Sequence, residues 1–167
     1  MSPPGRQGPR RGPFGAPGEF RSAQHEGPPL RRASPAAVVG ASVNDIDTPA
    51  LVIDLDAMQR NLASMARFAR EHEVMLRPHA KMHKSAAIAK LQMAAGAVGV
   101  CVQKLSEAEA LADAGLTDIY ISNEVIAPHK LARLALLAKR ITLAVAVDSA
   151  LGTDRLAEAL KAAGSRA

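Results

Sequence analysis

From Thr48 onward, apolar positions along the chain switch repeatedly between two periods. Apolar runs of strand length fall at 50–53, 74–77, 97–102 ("AVGVCV"), 118–122 ("DIYIS") and 141–147 ("ITLAVAV"). Between them the apolar residues recur every three or four positions, the period of a helix with one buried face. Met58, Leu62, Met65 and Ala69 form one such face, behind Asp54 or Asp56 as an N-cap. Ser85 caps the next helix, with Ile88, Leu91 and Ala95 on one side and Gly96 as its stop. In "LSEAEALADAG", Ser106 and Glu109 stand at capping-box spacing, with Leu105 placed to staple against Ala110 and Gly115 at the end. Pro128 suits a first helical turn ahead of Leu131, Leu134 and Ala138, and a last helix runs through Leu156, Ala159 and Leu160.

After the first helix this pattern gives four strand-then-helix units. Short, nearly continuous apolar strands alternating with helices imply a parallel sheet covered by helices. Two α/β architectures fit: an open doubly wound sheet, or about four units of a (β/α)8 barrel of the TIM type. The dinucleotide fingerprint G-x-G-x-x-G is absent, and the glycines of "GAVGV" precede a strand instead of linking strand to helix. Polar residues follow each strand instead: His79 and Lys81, Gln103 and Lys104, Asn123 and Glu124, Asp148 and Ser149. In barrels the carboxyl ends of the strands form the active face, so this distribution favours a partial barrel. A whole barrel takes about 250 residues, and this chain has 167. An open half-barrel has two unpaired edges, which makes a homodimer a natural expectation.

Charge and composition narrow the field. The formal charge is +5, but residues 1–40 hold six Arg against two Glu, so the basicity belongs to that tail and not to a folded surface. With three Phe, one Tyr and no Trp there is no platform for stacking bases, and no nucleic-acid partner is expected. No run approaches the roughly 20 apolar residues of a membrane span. The single Cys101 lies in an apolar strand and reads as a small core residue. A lone cysteine allows no internal disulfide, which points to a reducing, cytoplasmic setting. Eight Pro and seven Gly within residues 1–40 mark a disordered extension, taken as 1–44, with the folded part at 45–167.

The chemistry concentrates in "LRPHAKMHK", residues 76–84. A lysine at the carboxyl end of a first barrel strand can form a Schiff base with an aldehyde if its amine is kept partly neutral, and Lys81 holds that position. A cationic loop for phosphate or an acidic partner is the plainer reading. His79 and His83 are four apart, but Pro78 disfavours helix before them and no third ligand lies between, so no metal is placed here.

The stretches "TPALVIDLDAMQRNL", "RPHAKMHKS", "VQKLSEAEA" and "DIYISNEV" resemble, in order and spacing, the N-terminal half of the D-threonine aldolase family. That family includes D-3-hydroxyaspartate aldolases and relatives of eukaryotic-type D-serine dehydratase. The likeness spans roughly 45–150. It implies a fold-type III pyridoxal-phosphate enzyme with an alanine-racemase-like barrel, in which Lys81 carries the cofactor and Lys84 does not. Arg77, His79, Gln103 and Asn123 are then expected as cofactor contacts. The residues at 50–53 would be a strand of a companion β domain, leaving 74–77 as the first barrel strand. The implied reaction is retro-aldol cleavage of a small β-hydroxy-D-amino acid, with a dehydratase-like elimination as the alternative.

The family's glycine-rich phosphate loop and its metal-binding pair come from later segments. The divalent cation (Mn, Mg or Zn) is therefore expected only in the full-length protein, and the isolated chain is expected to be inactive. A single-barrel pyridoxal-phosphate carrier and an inactive half-barrel interaction module are the remaining readings.

Overall fold

The computed structural model describes residues 35–165, and the chain divides into two units, the first ending at Leu51 and the second beginning at Val52. In the first unit, a single 3-10 turn at Val43–Asp45 is closed from both sides. Ser42 Oγ accepts the Asn44 N–H at 3.2 Å, and the Asp45 carboxylate accepts the Ser42 N–H at 3.2 Å. Residues 1–34 of the expected extension lie outside the described residues.

The second unit contains the helices and strands. Helix α1, Leu55–Glu71, starts where Asp54 Oδ1 accepts the Ala57 N–H at 2.9 Å. Helix α2, Ala86–Ala94, is capped by Ser85 as expected. There follow β1 (Val100–Val102), α3 (Leu105–Asp113), β2 (Asp118–Glu124), α4 (Pro128–Leu137), β3 (Thr142–Ala146) and α5 (Ala150–Ala163). Ser149 closes the start of α5 by accepting the Gly152 N–H.

The three strands form an open parallel sheet in sequence order, β1-β2-β3. Residues 76–80 run beside β1 and extend it. Leu76 O accepts from the Val98 N–H at 3.0 Å, Pro78 O from Cys101 N–H at 2.7 Å, and the Ala80 N–H donates to Cys101 O at 2.7 Å. The expected strand at 74–77 is thus an extended segment with one bridge, His79 to Cys101. Pro78 has no N–H to contribute to a fuller ladder.

Parallel neighbours joined in sequence by right-handed crossovers place their helices on one face. That face holds the core: Val100, Val102, Ile119, Ile121 and Leu143 from the strands meet Ala108, Leu111, Leu134 and Leu137 from the helices. Alternation turns Cys101, Tyr120 and Ala144, which lie side by side, to the other face. Cys101 is buried, in keeping with a small core residue.

Two expectations are corrected. Residues 50–53 form no strand: Leu51, Val52 and Ile53 are 99%, 62% and 51% exposed, and no neighbouring strand among the described residues takes up their backbone groups. In α3 the N-cap is Lys104, and Glu107 does the capping in place of the Ser106/Glu109 pair. Its Oε2 accepts the N–H groups of Gln103 at 3.0 Å and Lys104 at 3.2 Å. Glu109 instead pairs with Arg133 on α4, a partner that a local pattern cannot reveal.

Candidate active site

Because the strands are parallel, the residues that leave them do so at one end of the sheet. His79 and Lys81, Gln103 and Lys104, Asn123 and Glu124, and Asp148 and Ser149 are brought to that end together. β2 runs two residues further than expected, and its register with β3 shifts between Ile121 and Glu124. Such irregularities commonly re-aim side chains at a sheet's rim.

Two lysines three residues apart have different surroundings. Lys84 Nζ lies 3.4 Å from Glu107 Oε1, and its backbone, at φ 50°, is held by its N–H bonding to Ala80 O at 2.8 Å. Lys81 is exposed, and its ammonium group has no hydrogen-bond or ion-pair partner among the described residues. Glu107 meets two opposing influences. Burial pushes its carboxyl up, but the two backbone N–H groups and Lys84 outweigh this and hold it below the ordinary carboxylate value.

The two histidines use one local device. His79 Nδ1 accepts the Lys81 N–H at 3.2 Å, and His83 Nδ1 accepts the Ser85 N–H at 3.0 Å. His79 Nε2 lies 3.2 Å from Ser122 Oγ, which in turn reaches Val102 O at 3.2 Å. His83 is turned inward beside Gln92, and burial lowers its pKa against the opposing influence of Gln92 and the Ser85 N–H.

Arg77 is not at this end. Its guanidinium crosses over Gly99 to donate at 2.7 Å to Oδ1 of Asp118, the first residue of β2. Arg77, His79 and Lys81 share an alternation, yet each sits at a different height along the strand. Gln103 and Asn123 are exposed. No group of three His, Cys, Asp or Glu side chains converges among the described residues. A groove of about 680 Å³ is lined by Met58, Leu62 and Met65 of α1 and by Leu76, Pro78 and Ile88. No helix among the described residues is long and apolar enough to cross a membrane.

Ser122 is the residue that sequence reading missed, because it was counted only as the end of a strand. The signal was the alternation itself: with Ile119 and Ile121 facing the helices, Ser122 has to face away from them.

Comparison with known proteins agrees with this architecture. The alanine racemase N-terminal domain matches residues 53–167. A D-threonine aldolase from Arthrobacter sp is 46% identical over 132 residues, covering 79% of this chain and 35% of the aldolase. A 3-hydroxy-D-aspartate aldolase from Paracoccus denitrificans is 47% identical over 114 residues, covering 67% of this chain and 30% of the aldolase. A D-threo-3-hydroxyaspartate dehydratase from Delftia sp. is also among the relatives. The crystal structure of D-threonine aldolase from Filomicrobium marinum superposes with a TM-score of 0.72 at 55% identity, covering 74% of this chain and 33% of that one. The chain spans about a third of the length of the curated relatives it matches. On sequence and fold together, it belongs to the alanine racemase N-terminal domain family and is homologous to D-threonine aldolase and 3-hydroxy-D-aspartate aldolase.

Proposed function

We propose that this chain carries the cofactor-anchoring wall of a pyridoxal-phosphate-dependent lyase that cleaves small β-hydroxy-D-amino acids, with Lys81 as the anchor. The contrast between the two lysines carries the reading: Lys84 is engaged with Glu107, while Lys81 stands with no side-chain partner among the described residues, where the parallel strands end. A primary amine in that position fits an aldehyde-bearing cofactor, because an unengaged amine can attack a carbonyl carbon. When bound, pyridoxal phosphate supplies an electron sink for breaking a bond at the substrate's α-carbon.

The chain's own residues do the holding. The bridge from His79 to Cys101 fixes the segment that precedes Lys81, and Glu107 keeps Lys84 away from the same space. Gln103 and Asn123, exposed at the ends of β1 and β2, bring amide groups that both donate and accept to the same end of the sheet. The homology to two aldolases favours carbon–carbon cleavage, giving glycine or a related amino acid and an aldehyde, over elimination of the hydroxyl.

Site-resolved trapping tests the anchor. The chain is incubated with pyridoxal phosphate, reduced with borohydride and digested, and the pyridoxyl-bearing peptides are quantified. Most of the label is expected on Lys81, and Lys81→Ala should remove it. A label spread evenly over Lys81, Lys84 and Lys104 contradicts the assignment.

A further inference from the structure

We infer that His79 and Ser122 work as a pair of positioning residues that fix where the Lys81 turn leaves the sheet, an inference that rests on Lys81 being the anchor. Three hydrogen bonds in series carry it. The Lys81 N–H donates to His79 Nδ1, His79 Nε2 faces Ser122 Oγ, and Ser122 faces Val102 O, each at 3.2 Å.

The direction of every bond follows from its two ends. A backbone N–H can only donate, so Nδ1 must accept, which leaves the ring proton on Nε2. A carbonyl can only accept, so the Ser122 hydroxyl proton goes to Val102 O, and Ser122 Oγ is free to receive the Nε2 proton. Both ends therefore specify one tautomer, and the imidazole can rotate or flip only by breaking two bonds.

The chain of bonds also crosses between strands. His79 belongs to the segment beside β1, Ser122 to β2, and Val102 to β1 itself. Lys81 is the residue directly after this tie. Ala80, between His79 and Lys81, is buried, with its own N–H bonded to Cys101 O. The backbone leading into Lys81 is thus held by two successive N–H groups, those of Ala80 and Lys81, while the Lys81 side chain stays exposed. A lysine that must meet an aldehyde carbon in one orientation needs such a mount, since misplacement of a reacting group is costly in rate. Neither His79 nor Ser122 needs to touch the cofactor for this role.

Two readouts test the inference on the 167-residue chain. The first needs no cofactor: long-range proton–nitrogen correlation spectra report which ring nitrogen of His79 carries the proton. The Nε2–H form is expected, with a shift toward a mixed population in Ser122→Ala; a predominant Nδ1–H form overturns the inference. The second is the rate of pyridoxal phosphate trapping at Lys81 relative to Lys104. Ser122→Ala should lower the Lys81 rate about five-fold, the rate equivalent of one ordinary hydrogen bond. Ser122→Thr, which keeps the hydroxyl, should restore it, with Lys104 unchanged throughout. If the unaltered chain favours Lys81 and Ser122→Ala favours it equally, the positioning role is wrong and the anchor stands. If the unaltered chain labels both lysines alike, the anchor assignment falls and takes this inference with it.

Discussion

At the scale of single residues, Gly99 shows most directly how a side chain elsewhere constrains the backbone. A Cβ at this position would overlap the Arg77 guanidinium and lie 2.7 Å from the Asp118 carbonyl oxygen. The guanidinium is a flexible end that can move, but the carbonyl belongs to a paired strand and cannot. Gly99→Ala is therefore expected to cost about 1–3 kcal/mol of folding stability, the usual range for overpacking. Arg77→Ala in the same chain should recover part of that cost and not all of it, because only one of the two clashes is relieved. Urea unfolding of the two single variants and the double variant measures the coupling; strictly additive effects would mean that Arg77 does not cross over Gly99. In the sequence, Gly99 was one letter of an apolar strand, and Arg77 was expected beside the cofactor with Lys81 by resemblance to the family. Alternation did place Arg77, His79 and Lys81 on a common side. What it could not show is that distance along a strand becomes height along a sheet, which sends Arg77 to Asp118 and leaves Lys81 at the rim.

At the scale of elements, helices with a complete local signal were legible. Asp54, Ser85 and Pro128 start α1, α2 and α4 as the pattern implies, because each acts on backbone groups within its own first turn. The strand at 50–53 was misread because strand pairing depends on partners remote in sequence, and the α3 cap because Glu107 lies in the first turn while Glu109 is drawn to Arg133 on α4. Glu107 gives the α3 start a pH dependence whose sign follows from its pKa. Its carboxyl titrates below the ordinary value of 4.5 in the folded chain, so between the folded and unfolded values the unfolded state binds more protons. The stabilisation is then present above the ordinary carboxylate range and is lost as pH falls through the folded value. Unfolding midpoints in urea should decline on acidification through this window, and Glu107→Gln should make the decline shallower. An identical pH slope in the two proteins would show that the cap is not formed in solution.

At the scale of the whole second unit, sequential parallel order accounts for both its core and its site. Helices on one face bury the aliphatic side chains of the strands, and the other face carries Cys101, Tyr120 and Ala144. The residue types that end each strand marked out one end of the sheet as the candidate site before any coordinates, since a parallel sheet collects all its carboxyl ends together. The sheet is open, with residues 76–80 along one side and β3 along the other. The most direct test of the central claim transplants this segment into a longer relative. Residues 45–165 would replace the matching segment of the Filomicrobium marinum D-threonine aldolase, and acetaldehyde and glycine formed from D-threonine would be measured. The predicted result is cleavage by the chimera, its loss in Lys81→Ala, and its retention in Lys84→Ala. A folded, cofactor-loaded chimera that does not cleave D-threonine, or one that still cleaves it after Lys81→Ala, would contradict the account.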